Sequence, residues 1–123
     1  DEVTSVVLGM EVQPQVLVLQ PRTLEEVLGS ICLVGDACDA APEAHRLVSS
    51  LRQRIAAVES KLGPAVQRPT VFSLEGINPL VAGGHWIPDL LRKAGGEQAM
   101  LEPGCPARRL LRLLLRYVLR FGG

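Results

Sequence analysis

The order of hydrophobic patterns along the sequence predicts a mixed α/β chain with incomplete parallel sheets. A short continuous apolar run at residues 15–19 is typical of a strand that is buried on both faces, and residues 70–75 predict a second short strand. Between them, two segments carry apolar residues at three- and four-residue steps, as helices facing a core do. The chain has 123 residues, 47% of them apolar, so one domain of ordinary size with a real core is expected.

The N-terminal part is predicted to contain a short helix at residues 2–10, the strand Q-V-L-V-L at 15–19 and a helix at 23–38. Thr23 and Glu26 have the spacing of a capping box, in which each side chain accepts a hydrogen bond from the other residue's amide. The apolar stripe of this helix consists of Leu24, Val27, Leu28, Ile31 and Val34.

The longest predicted helix covers residues 42–62. Pro42 occupies a favoured first-turn position, and Gly63-Pro64 ends the segment. At ~1.5 Å per residue such a helix is about 30 Å long, the width of a small domain, so it can connect two lobes. Its apolar face consists of Ala44, Leu47, Val48, Leu51, Ile55, Val58 and Leu62.

A second strand, T-V-F-S-L-E at residues 70–75, precedes a segment rich in glycine, proline and asparagine at 76–84. We expect that segment to be a loop, followed by a helix at 85–94 that ends at Gly95-Gly96. The order strand, helix, helix, strand, loop, helix is typical of α/β proteins with parallel sheets.

The C-terminal tail differs from the body in charge. All thirteen acidic residues lie between Asp1 and Glu102, whereas Arg108, Arg112, Arg116 and Arg120 recur every four residues with no acid among them. With the leucines between them they predict a basic amphipathic helix, suited to a membrane surface, an acidic partner or a hydrophobic groove. The alternative is that the tail is a translation or splicing artefact with no selected role. The sequence is not that of a nucleic-acid-binding protein, because the body is acidic and aromatics do not interleave the arginines.

No set of residues predicts catalysis. The sequence has no nucleophile elbow, no phosphate-binding loop and no paired metal ligands. Cys32, Cys38 and Cys105 lack metal-ligand spacing, and an odd count does not indicate a disulfide framework. We therefore expect a binding protein, not an enzyme, with no metal site of its own.

Four sequence runs, in order, carry a resemblance to a known family. They are V-L-V-L-Q-P-R-T-L-E-E-V-L (16–28), P-T-V-F-S-L-E (69–75), V-A-G-G-H-W-I-P-D-L (81–90) and K-A-G-G-E (93–97). Over residues 1–109 the chain resembles the vitamin B12 and iron-siderophore type of periplasmic solute-binding protein of ABC importers, in particular the cobalamin-binding branch. The resemblance implies two α/β lobes joined by one long helix, with cobalamin or a related metal chelate held between them.

This resemblance assigns each part of the chain a place in such a protein. Residues 1–41 correspond to the end of the first lobe, 42–63 to the inter-lobe helix, 64–106 to the start of the second lobe and 107–123 to the basic tail. The family is typically periplasmic or on the cell surface, but Asp1-Glu2 is not the basic start of a signal peptide. We therefore expect a partial chain, lacking most of the first lobe. The implied partner is an ABC permease, although the glutamates that dock to it cannot be placed.

The cleft, by the same resemblance, is lined by Glu75, Gly76, Asn78, Gly83, Gly84, His85 and Trp86. Glu75 would accept hydrogen bonds from ligand amides, or it caps amides of its own loop. Asn78 would contact the ligand or simply form a turn.

The last residues of the predicted site also have two interpretations each. Gly83-Gly84 would let the backbone approach the ligand closely, or they serve loop geometry. Trp86 would stack on a planar macrocycle, or it packs on the core. His85 could be an axial ligand to cobalt or iron, but a lone histidine more often only begins a helix.

Overall fold

The computed structural model describes residues 2–12, 14–63 and 67–109, which form a mixed α/β fold. The helices are α1 (Glu2–Leu8), α2 (Leu24–Ala37), α3 (Ala41–Glu59) and α4 (Ile87–Lys93). The strands are β1 (Thr70–Val71), β2 (Leu74–Ile77), β3 (Leu80–Ala82), β4 (Glu97–Gln98) and β5 (Arg108–Arg109). The four predicted helices among these residues are therefore confirmed, with ends that differ by at most three residues.

The strands form two small sheets. β1 and β4 pair in parallel, whereas β2, β3 and β5 form an antiparallel sheet in the order β2-β3-β5. The prediction of parallel strands is confirmed for the first sheet and wrong for the second. The predicted strand at residues 70–75 divides between the two sheets, and the predicted loop at 76–84 contains a hairpin. A two-residue connection between β2 and β3 permits only antiparallel pairing.

The prediction of a buried strand at residues 15–19 is wrong. This segment is extended but belongs to no strand, and Val16 and Val18 are 50% and 69% exposed. A strand buried on both faces needs neighbouring strands and covering helices. No described strand lies alongside this segment.

The helical hairpin of α2 and α3 begins at the predicted capping box, which is confirmed. The Thr23 hydroxyl accepts a hydrogen bond from the Glu26 amide at 3.2 Å, and the Glu26 carboxylate accepts one from the Thr23 amide at 3.3 Å. Both residues are thereby held at the first turn, where the amides have no partner within the helix.

Two small residues lie against each other where helices α2 and α3 pack. A Cβ atom built on Gly35 would lie 2.3 Å from the Cβ of Ala44, so glycine is the one residue that fits there without displacement. Leu24, Leu28, Ala44 and Val48 are buried between or beside these helices. The close approach at Gly35 therefore sets the distance at which the apolar faces meet.

Helix α4 is tied to both helices of the hairpin. The Asp89 carboxylate accepts a hydrogen bond from the Leu24 amide at 3.0 Å, which satisfies one free amide at the start of α2. At its other end α4 stops just before Gly95, whose φ of 87° is favourable for glycine. The Gly96 amide donates a hydrogen bond to the Leu91 carbonyl oxygen. A Cβ atom on Gly95 would lie 2.8 Å from a methyl carbon of Leu62, so the end of α4 lies against the chain that follows α3.

Replacing glycine by alanine is expected to change the stability of the protein in opposite directions at two positions of α2. We expect Gly35→Ala to destabilise the protein by about 1–3 kcal/mol, since the new methyl group overlaps that of Ala44. Gly29→Ala is the matched control in the same helix, because nothing lies within 4 Å of its Cβ position. It should raise stability by up to about 1 kcal/mol through helix propensity. Urea unfolding followed by circular dichroism measures both changes, and equal effects of the two substitutions would contradict this packing.

Candidate functional site

The residues predicted to line a cleft lie on and beside the β2–β3 hairpin. Leu74 faces Ala82 and Gly76 faces Val81, so Glu75 is an extra residue at a β-bulge. Bulges change the direction of a side chain relative to a regular strand. The Glu75 side chain reaches the base of the hairpin, where its Oε1 accepts a hydrogen bond from the Gly84 amide at 3.2 Å.

Gly83 and Gly84 are buried at the point where three segments of the chain meet. A Cβ atom on Gly83 would lie 2.5 Å from the Ser73 hydroxyl oxygen. One on Gly84 would lie 2.3 Å from the amide nitrogen of Ala107 and 2.6 Å from the carbonyl carbon of Pro106. The space beside these glycines is therefore filled by the chain itself, which is the loop-geometry interpretation. The prediction that they approach a ligand remains untested.

His85 connects the hairpin to the segment that follows α4. Its φ is 53°, its amide donates to the Cys105 carbonyl oxygen at 2.6 Å, and its own carbonyl oxygen accepts from the Gly104 amide at 3.0 Å. The ring is half-buried, and Nδ1 is buried without a hydrogen-bond partner among the described residues. The Trp86 ring is also half-buried, with its centroid 5.9 Å from that of His85 and its plane tilted by 35°.

Gln98 is a polar residue of this region that the sequence did not indicate. From strand β4, its side-chain amide donates to the Ser73 hydroxyl at 2.9 Å and to the Gly83 carbonyl oxygen at 3.1 Å. Its Oε1 is buried without a partner among the described residues. Gln98 thus links the parallel sheet to the base of the hairpin, and its two partners are 15 and 25 residues away in the sequence. A local sequence pattern cannot predict contacts between residues so far apart.

The hairpin brings only part of the predicted site together. Glu75, Gly83 and Gly84 meet at its base, whereas Asn78 lies exposed in the turn at its other end, with a cis peptide bond to Pro79. Gly76 is half-buried in β2. Two surface cavities, one beside residues 18–21 and one on α3, contain none of these residues.

The hairpin also exposes apolar side chains. Ile77 is 82% exposed, and Leu74 and Leu80 are 48% and 43% exposed. The hairpin therefore carries exposed apolar area and, at Glu75, an exposed carboxylate. Surfaces that bind drug-sized ligands combine these two features.

The predicted basic helix of the tail falls largely outside the described residues. Arg108 and Arg109 form β5, which pairs with β3, so the prediction that the helix includes Arg108 is wrong. Arg112, Arg116 and Arg120 lie outside the described residues.

The described residues contain neither a cluster of metal-ligating side chains nor a helix able to span a bilayer. Over residues 2–12, 14–63 and 67–109, no three histidine, cysteine or acidic side chains are grouped as metal ligands are. In the same ranges, no helix has the length and apolar character needed to cross a bilayer.

Comparison of the chain with models of protein families, with curated proteins and with solved structures found no match in any of the three.

Because Gly84 is crowded by backbone atoms, adding one methyl group there is expected to lower the stability of the protein strongly. We expect Gly84→Ala to destabilise the protein by about 3 kcal/mol, because a Cβ atom there collides with backbone that cannot rotate away. Gly63→Ala is the control, since nothing lies within 4 Å of that Cβ position. Thermal unfolding monitored by the fluorescence of Trp86, the one tryptophan of the chain, measures both. A Gly84→Ala variant as stable as the wild type would contradict the contact with residues 106–107.

Proposed function

We propose that this chain binds cobalamin or a related metal chelate at the surface that carries Glu75, His85 and Trp86, beside the buried Gly83 and Gly84. It does so as a solute-binding component of an ABC-type importer, and it carries out no catalysis. The observation that carries the proposal is the exposed carboxylate of Glu75 at the base of the hairpin, close in the chain fold to the segment that continues into His85 and Trp86. Its Oε1 accepts a hydrogen bond from the Gly84 amide, as the capping interpretation expects. That bond uses Oε1 of Glu75 and leaves Oε2 as an acceptor for a ligand amide.

The chemistry of the exposed side chains supports a ligand of this class. Corrinoids carry many amide groups around a flat apolar ring system. Glu75 is exposed beside Leu74 and Ile77, so that a carboxylate and aliphatic side chains are offered on the same hairpin. Trp86, half-buried after the glycines, supplies the flat aromatic surface on which a macrocycle can stack.

The proposed two-lobed architecture takes α3 as its connection, because the two ends of α3 contact different helices. Its first half packs on α2 through Ala44 and Val48, whereas its last turn reaches α4 through an ion pair between Glu59 and Lys93 at 2.9 Å. We propose that α3 is the connection between lobes. Residues 1–41 are then the end of the first lobe and 64–106 the start of the second.

Equilibrium dialysis of the purified chain against cyanocobalamin, and separately against a ferric trihydroxamate chelate, tests the proposed binding. The absorbance of the ligand reports how much is bound. We expect Glu75→Gln to weaken binding by about ten-fold, because a hydrogen bond to a charged acceptor contributes ~1.5 kcal/mol or more. The glutamine keeps an oxygen that can accept from the Gly84 amide, so the hairpin is preserved.

Glu97→Gln is the control for the loss of charge. Glu97 is exposed on β4, and its carboxylate has no hydrogen bond or ion pair with another described residue. This variant should bind as the wild type does. The proposal is wrong if neither ligand binds at concentrations up to about 1 mM, or if the two variants weaken binding equally.

A further inference from the structure

Between Pro14 and Pro21 the chain is extended, and its four central side chains are apolar. Residues 16–19 read V-L-V-L, and their side chains are between 41% and 69% exposed. Among the described residues, no backbone amide or carbonyl group of residues 15–20 takes part in a hydrogen bond. Such a segment presents a free strand edge, which another extended chain can pair with.

A cavity of about 430 Å³ lies beside this free edge. It is open on one side and lies between residues 18–21 and helix α2, and Leu33 at its border is 51% exposed. The lining is mainly apolar, with Glu26, Gly29 and Ser30 on the helix side. A strand that pairs with the free edge therefore has a place for its own aliphatic side chains.

We propose that the occupant is the same segment of a second copy, so that two chains form a dimer through an antiparallel ladder of residues 15–20. A ladder needs an amide at each donor position, and prolines at 14 and 21 end it on both sides. The six residues between the prolines are centred on the bond from Leu17 to Val18. In this register Leu17 of each copy faces Val18 of the other, and Val16 faces Leu19, so every central pair is apolar.

Charge and symmetry favour a second copy over a different chain. Residues 14–20 carry no charge, so two copies of the segment do not repel each other. Glu11 and Arg22 flank it, both exposed, and neither side chain forms an ion pair with a described residue. In this register Arg22 of one copy faces position 13 of the other, two residues from Glu11, so opposite charges lie diagonally across the pair at both ends.

The dimer is of moderate strength and of finite size. An interface of six residues per chain and one cavity buries a total surface at the low end of specific interfaces, below about 1,200 Å². We therefore expect a dissociation constant in the micromolar range. The prolines limit the ladder to one short segment, which disfavours growth into a fibre.

Sedimentation equilibrium of the full chain over a range of concentrations measures the dimer. We expect Leu17→Lys and Val18→Glu each to raise the dissociation constant at least ten-fold, because each places a charge opposite an apolar residue. Both positions are exposed in the single chain, at 42% and 69%, so the monomer tolerates the change. Val12→Lys, at a position that is 81% exposed and outside the ladder, is the control and should dimerise as the wild type does.

Mixing the two charged variants tests the register. In the proposed ladder Lys at 17 of one copy faces Glu at 18 of the other, so the mixture should form a heterodimer that neither variant forms with itself. A wild-type chain that stays monomeric up to about 1 mM overturns the proposal and points to a different chain as the occupant. Equal behaviour of Val18→Glu and Val12→Lys, or a mixture that does not pair, overturns it as well.

Discussion

The described part of this fold depends on close approach of backbone segments at glycines. Its buried apolar core is small and consists of Leu24, Leu28, Ala44, Val48, Ala82 and Leu101, with Pro88 also fully buried. Large side chains therefore do not set the distances between its elements. Those distances are set where a residue without a side chain admits a neighbour: Gly35 beside Ala44, Gly83 beside Ser73, and Gly84 beside residues 106–107. Each contact is lost when a single methyl group is added, which makes the arrangement specific despite the small core.

The same constraint explains why the hairpin carries the candidate site. Gly84 brings the segment after α4 against the base of the hairpin, and the amide of Gly84 then meets the carboxylate of Glu75. The bulge at Glu75 turns that side chain toward the base. Gln98 completes the region from the parallel sheet by donating to Ser73 and Gly83. The site is thus assembled by contacts between distant parts of the sequence, and its polar atoms are positioned by backbone packing.

Local features of the fold could be predicted from the sequence, because their signals lie within a few residues. The capping box of Thr23 and Glu26 is confirmed, and so is the end of α4 at Gly95 and Gly96. Strand pairing could not be predicted in the same way. The run at residues 15–19 has the composition of a buried strand, but burial depends on neighbours that composition does not specify.

The candidate site was predictable only in part. The glycine-rich segment from 76 to 84 predicts a loop, whereas the structure has a hairpin there with Asn78 at its tip. Gln98 could not be identified, since its partners are far away in sequence. Proximity in space, and not sequence pattern, decides which of the predicted residues meet.

The contact at Gly84 can be observed directly in solution. A nuclear Overhauser effect between an α-proton of Gly84 and the amide proton of Ala107 reports their separation without any substitution. Because the Cβ position of Gly84 lies 2.3 Å from the Ala107 nitrogen, we predict a strong cross-peak between these protons. Its absence, with both resonances assigned, would contradict the close approach on which the hairpin and its site depend.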